Sequence, residues 1–104
     1  MIRRTKTASI NIATAADHTI IAAVSGKKII ITNLLFTAGG DVNITLKDGT
    51  TALTGAMDFG GTSEPRGMVS NFGDEAIELT PGNAFVITLS AAVQVSGTVV
   101  YYLS

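Results

Sequence analysis

The chain has 104 residues, the length of one domain, with seven Lys/Arg against eight Asp/Glu and a formal charge of −1. Charged residues make up 14% and apolar residues 46%; there is no Cys, no Trp and a single His. That composition excludes a disulfide scaffold, a cysteine-based zinc site and thiol chemistry, and it is too apolar and too weakly charged for a disordered chain.

In chain order the periodicity is that of strands. Residues 5–13 alternate around Ile10 and Ile12, with Ser9 and Asn11 facing the other way. Residues 19–24 form a short apolar run. Residues 28–37 form a longer one, with Ile29, Ile31 and Leu35 on one face and Ile30, Leu34 and Phe36 on the other. A strand apolar on both faces is covered on both. Val42, Ile44 and Leu46 then alternate with Asn43, Thr45 and Lys47, the pattern of a half-buried strand. Residues 58–71 are the least patterned part: 59–65 read as an exposed loop and 66–69 as a short strand. Residues 76–79 give another short strand. Phe85, Ile87 and Leu89 repeat the alternation, and Val95, Val99, Tyr101 and Leu103 close the chain at period two. Only residues 14–17 suggest so much as one helical turn.

Turn residues fall between these runs: Ser25-Gly26-Lys27, Gly39-Gly40-Asp41, Asp48-Gly49 and Pro81-Gly82-Asn83. Asp-Gly supplies the positive φ of tight hairpins, and Pro-Gly suits an early turn position. Eight or nine strands without helices, punctuated about every 8–12 residues, predict an all-β, antiparallel two-sheet sandwich around one core. Jelly-roll and immunoglobulin-like topologies both fit the pattern. The missing Trp and Cys pair weakens the latter.

The low charge bears on assembly. A small solitary domain needs about 25–35% charged residues on its surface, more than this chain supplies. Some apolar surface is therefore expected to meet another subunit, in a homo-oligomer. The candidate contacts are strand residues Ile30, Leu34 and Phe36 of the third run and Val100 and Tyr102 of the last. Basic residues are uneven: Arg3, Arg4 and Lys6 lie in the first six positions, while residues 7–104 carry a formal −4. Residues 1–6 read as a cationic arm on a single domain spanning 7–104, suited to docking on an acidic surface. No apolar run approaches the ~20 residues of a membrane span, and no signal-peptide core follows the first basic residues. We expect no membrane partner and synthesis in a cytoplasm without processing.

Chemistry-bearing residues are few. His18 beside Asp17 could serve as a general base, but it reads as a turn residue. Asp74, Glu75 and Glu78 read as a solvated loop and strand face. Gly-x-Ser-x-Gly, calcium-loop and phosphate-loop motifs are missing. No catalytic, cofactor or metal residues are expected, and three clustered basic charges are too few for nucleic-acid binding. Among sandwich functions, sugar binding needs an exposed aromatic platform, for which Phe59 and Phe72, flanking the loop, are the candidates.

Three segments resemble a group of small tailed-bacteriophage virion proteins: residues 22–29 (AAVSGKKI), 47–57 (KDGTTALTGAM) and 81–102 (PGNAFVITLSAAVQVSGTVVYY). The group is similar to head decoration, or cement, proteins. The resemblance implies a jelly roll, often trimeric, that sits on the outside of the assembled capsid with the major capsid protein as partner. It implies a virion location. The motifs are strand-and-turn patterns, and a fibre, spike or tail-associated adhesin is the alternative they also admit. The basic arm is not part of the resembling pattern, but its charge makes Arg3, Arg4 and Lys6 the candidate capsid contacts.

Overall fold

The computed structural model describes residues 5–60, 66–72 and 76–104. Among them lie ten strands and no helix: β1 (Lys6–Ile12), β2 (Asp17–Ile21), β3 (Ile29–Ala38), β4 (Asn43–Asp48), β5 (Thr51–Ala52), β6 (Met57–Asp58), β7 (Arg66–Asn71), β8 (Ile77–Glu78), β9 (Phe85–Leu89) and β10 (Val95–Leu103). The count exceeds eight or nine because β5 and β6, of two residues each, are too short to show a period in the sequence. Residues 14–16, expected as a helical turn, form a bend.

The pairing is that of one long hairpin rolled up. β1 pairs with β10, β2 with β9, β3 with β7 and β8, and β4 with β5 and β6, all antiparallel. Rolling the double ribbon then brings β10 against β3 and β9 against β4. The result is two sheets, A in the order β1-β10-β3-β7 and B in the order β2-β9-β4-β5. Nested pairing of this kind is a jelly roll.

One apolar layer fills the space between the sheets. Sheet A contributes Ile10, Ile29, Ile31, Leu34, Phe36, Val95 and Val99; sheet B contributes Ile21, Ile44, Leu46, Phe85, Ile87 and Leu89. Each fully buried side chain of this size adds about 1.5–3 kcal/mol through lost water contact. The turn residues behave as their chemistry requires. Gly49 has φ +62°, and a two-residue connection joins Asp48 to Thr51.

β3 departs from strict alternation. Val100 pairs with Asn33 but Tyr101 pairs with Ile31, so Thr32 is an extra residue, a β-bulge. Its polar groups stay satisfied: Thr32 Oγ1 donates to the Val100 carbonyl at 3.2 Å, and Phe72 N donates to the Thr32 carbonyl at 2.8 Å. The bulge switches faces. Ile29 and Ile31 point into the core together with Leu34, Phe36 and Ala38, while Leu35 is 42% exposed. The expected grouping of Ile29 and Ile31 with Leu35, and of Ile30 with Leu34 and Phe36, is therefore corrected.

Around Phe36 the sheet is tightly drawn. Gly97 of β10 and Met68 of β7 are its cross-strand partners, and Gly67 stands next to Met68. A Cβ at Gly97 would run into the Leu35 carbonyl and the Phe36 Cα; one at Gly67 would run into the Phe36 carbonyl. Glycine is required on both flanking strands because no side chain fits against the β3 backbone.

Candidate functional site

The most distinctive surface is the outward face of sheet A. Register places Thr7, Ser9 and Asn11 of β1, Ser96, Thr98, Val100 and Tyr102 of β10, Ile30, Asn33, Leu35 and Thr37 of β3, and Gly67, Val69 and Asn71 of β7 on this side. Not one of these positions is charged. The centre is apolar: Val69 is 82% exposed and pairs directly with Leu35, at 42%. Between β7, β3 and β10 lies a shallow groove of about 80 Å³, lined by Leu35, Val69, Val100, Asn33, Ser70 and Thr98. Hydroxyl and amide side chains surround it. At one border Gln94 Nε2 donates to Asn11 Oδ1 at 2.7 Å and to Ser96 Oγ at 3.0 Å. At the other end Glu78 of β8 pairs with Ile30 and shares this face, where it is bound to Lys28 at 3.1 Å.

The candidate contact residues divide. Leu34 and Phe36, each 1% exposed, belong to the core and offer nothing to a second molecule. The bulge at Thr32 is what turned them inward. Ile30 is on the outward side of β3 yet only 3% exposed. Val100 and Tyr102 are half-buried on the outward face. Lys6 is exposed and opens β1, opposite Tyr101; Arg3 and Arg4 lie outside the described residues. Sequence reasoning missed Leu35 and Val69. The available signal for Val69 was its place next to Met68 in the short strand read at 66–69, since adjacent strand residues face opposite sides.

The candidate general base is engaged elsewhere. His18 Nε2 donates to the Thr14 carbonyl at 2.8 Å, with Thr14 Oγ1 at 3.2 Å. Asp17, its sequence neighbour, points to the opposite side of β2. There Asp17 Oδ1 accepts from Thr88 Oγ1 at 2.6 Å and from Lys47 Nζ at 3.4 Å. These two bonds hold the Asp17 carboxyl below its usual range. The two side chains form no acid–base pair. Asp74 and Glu75 lie outside the described residues, and Glu78 is taken by Lys28. Among the described residues no three His, Cys, Asp or Glu side chains converge as metal ligands.

Phe59 and Phe72, the candidates for a sugar platform, are half-buried and pack against the core. The Phe59 ring meets Phe36 edge-on, with centroids 5.2 Å apart, a favoured aromatic geometry.

Asp48 organises one end of the sandwich. It is 9% exposed at the end of β4. Its carboxylate accepts from Thr80 N at 3.0 and 3.2 Å, from Thr80 Oγ1 at 2.8 Å and from Asn83 Nδ2 at 3.0 Å. Burial pushes its pKa up, but the bonds from Thr80 and Asn83 together outweigh it and the carboxyl titrates below its ordinary value. The two turns read from the sequence, Asp48-Gly49 and Pro81-Gly82-Asn83, are thus tied to each other. Gly49 N donates to the Ala84 carbonyl at 2.8 Å, completing the link.

Comparison of the chain with protein-family models, with curated proteins and with solved structures finds no match in any of the three.

Proposed function

We propose that this protein is a noncatalytic structural component of a tailed-phage virion, which binds the outside of the head and stabilises it. The observation that carries the reading is the outward face of sheet A: apolar at its centre, with the Lys28–Glu78 ion pair at its Ile30 end, and carried on a jelly roll. Charge depletion with exposed aliphatic side chains is the composition of a contact surface. The resemblance of residues 22–29, 47–57 and 81–102 to phage decoration proteins supports the choice of partner.

The mechanism is additive contact. A molecule that binds the assembled shell and not its released subunits stabilises the shell by mass action. Many sites on one particle reinforce each other through avidity when copies are linked. Arg3, Arg4 and Lys6 supply cations for acidic groups on the major capsid protein, a contact that weakens with salt. No cofactor takes part.

The test is co-sedimentation. Purified protein is mixed with heads of a phage that carries this gene, prepared without it. Binding is expected to saturate at a fixed ratio to capsid subunits and to raise the temperature at which the heads release DNA. Protein that stays in the supernatant at every ratio refutes the reading.

A further inference from the structure

We propose that the outward face of sheet A binds the same face of a second copy of this chain, around a two-fold axis that passes close to Leu35 and Val69. The inference rests on the reading of the protein as an assembling structural part, and names the occupant of its most distinctive surface.

Three observations select a second copy over another partner. The first is charge. In a face-to-itself contact each side chain near the axis meets its own symmetry mate, so any charged residue there would oppose its like. The outward positions of β1, β10, β3 and β7 carry no Asp, Glu, Lys or Arg, although the chain has fifteen such residues to place; the Lys28–Glu78 pair stands beside Ile30, five residues along β3 from Leu35 and away from the axis. A surface built for a charged partner would show the opposite selection.

The second is the central pair. Val69 and Leu35 are cross-strand neighbours and both are exposed. Stacked on their copies they give a four-residue aliphatic centre, inside a rim of Thr, Ser and Asn side chains. Homomeric interfaces have this apolar centre and polar rim.

The third is size. From Ser96 to Tyr102 the face runs about 20 Å along the strands, and its four strands span about 19 Å. That is a flat footprint of roughly 400 Å² per copy, and side-chain relief brings the total for two copies to about 1,000 Å², the lower bound for a specific interface. The pair is therefore weak and concentration-dependent in solution. A flat sheet meeting itself closes as a dimer, which departs from the trimer that the resemblance implies.

The experiment is sedimentation velocity on the full chain alone, without capsids, from about 5 to about 500 µM. Wild type is expected to move from the 10.7 kDa monomer towards twice that mass. Leu35→Lys, Leu35→Glu and Val69→Lys, all at exposed positions, are each expected to stay monomeric with an unchanged circular dichroism spectrum. A 1:1 mixture of Leu35→Lys and Leu35→Glu is expected to associate again, because the axis brings the two opposite charges together. A wild type that stays monomeric throughout overturns the proposal. So does a trimer as the limiting species, association that survives Leu35→Lys and Val69→Lys, or a charge-swapped mixture no more associated than its components. Co-sedimentation with heads is scored separately: a monomer that still binds heads loses this interface and keeps the decoration reading.

Discussion

Asp48→Ala removes the acceptor that joins the end of β4 to the turn before β9. Three donor groups lose their partner: the Thr80 amide, the Thr80 hydroxyl and the Asn83 side-chain amide. Bonds to a charged acceptor contribute about 1.5–3 kcal/mol each at most. Thr80 is exposed, so both of its groups regain water, while Asn83 is half-buried. Taking about 1 kcal/mol for each lost bond gives a net cost of about 2–3 kcal/mol. For a chain of this length that lowers Tm by about 9–14 °C, from an unfolding entropy near 2.1 cal/mol/K per residue. The pH dependence follows from the direction of the shift. The folded carboxyl titrates below its unfolded value, so its stabilisation is complete above about pH 4 and fades as pH falls through the folded pKa. Asp48→Asn is expected to lose part of the stability at neutral pH and to flatten the acid limb of the curve. Calorimetry of wild type, Asp48→Ala and Asp48→Asn between about pH 2.5 and pH 7 measures both effects. An Asp48→Ala Tm within 3 °C of wild type, or an acid limb equally steep in Asp48→Asn, would refute the role given to this carboxylate.

Other substitutions probe the rest of the fold. Gly97→Ala forces a methyl group into the β3 backbone at Leu35 and Phe36; we expect a loss of at least about 3 kcal/mol, read as a chemical-denaturation midpoint shift, and a shift within error would sink the close-approach argument. Phe36→Ala empties the site between Gly97 and the Phe59 ring and should cost about 3–5 kcal/mol, measured the same way. Deleting Thr32 removes the bulge and puts either Ile29 and Ile31 or Leu34 and Phe36 on the wrong side of sheet A. That variant is expected to lose cooperative unfolding, and a sharp wild-type-like transition would show that the face switch is unnecessary.

How much could be read from the sequence differs from element to element. β4 and β9 were legible because each has one face in the core: Ile44, Leu46, Phe85, Ile87 and Leu89 obey period two and all are buried. The turns were legible through Gly49 and Gly82, whose positive φ values are what the Asp-Gly and Pro-Gly pairs predict. β3 was legible as a strand but not as a surface, since one inserted residue, Thr32, reverses the faces on either side and leaves no mark in composition. That single insertion explains why Leu34 and Phe36 were expected as contacts while Leu35 was not. Phe59 was read as part of a loop because β6 is two residues long and carries no period; only three-dimensional pairing of Met57 with Ile44 brings it to Phe36. Strand order was out of reach, because partners such as Lys6 and Tyr101 lie at opposite ends of the chain. Asp48 looked like a turn residue and is one. Its second task, holding Thr80 and Asn83, depends on a fold-back that no local pattern encodes.

The rolled hairpin has a consequence for biogenesis. β10 lies inside sheet A, with β1 on one side and β3 on the other, yet it is the last of the ten described strands to be made. Until it emerges, β1 has no ladder to join and one edge of β3 stays unpaired, so sheet A cannot close before all ten strands are made. Acquisition of structure is governed by contacts distant in the chain, and slow for so small a fold.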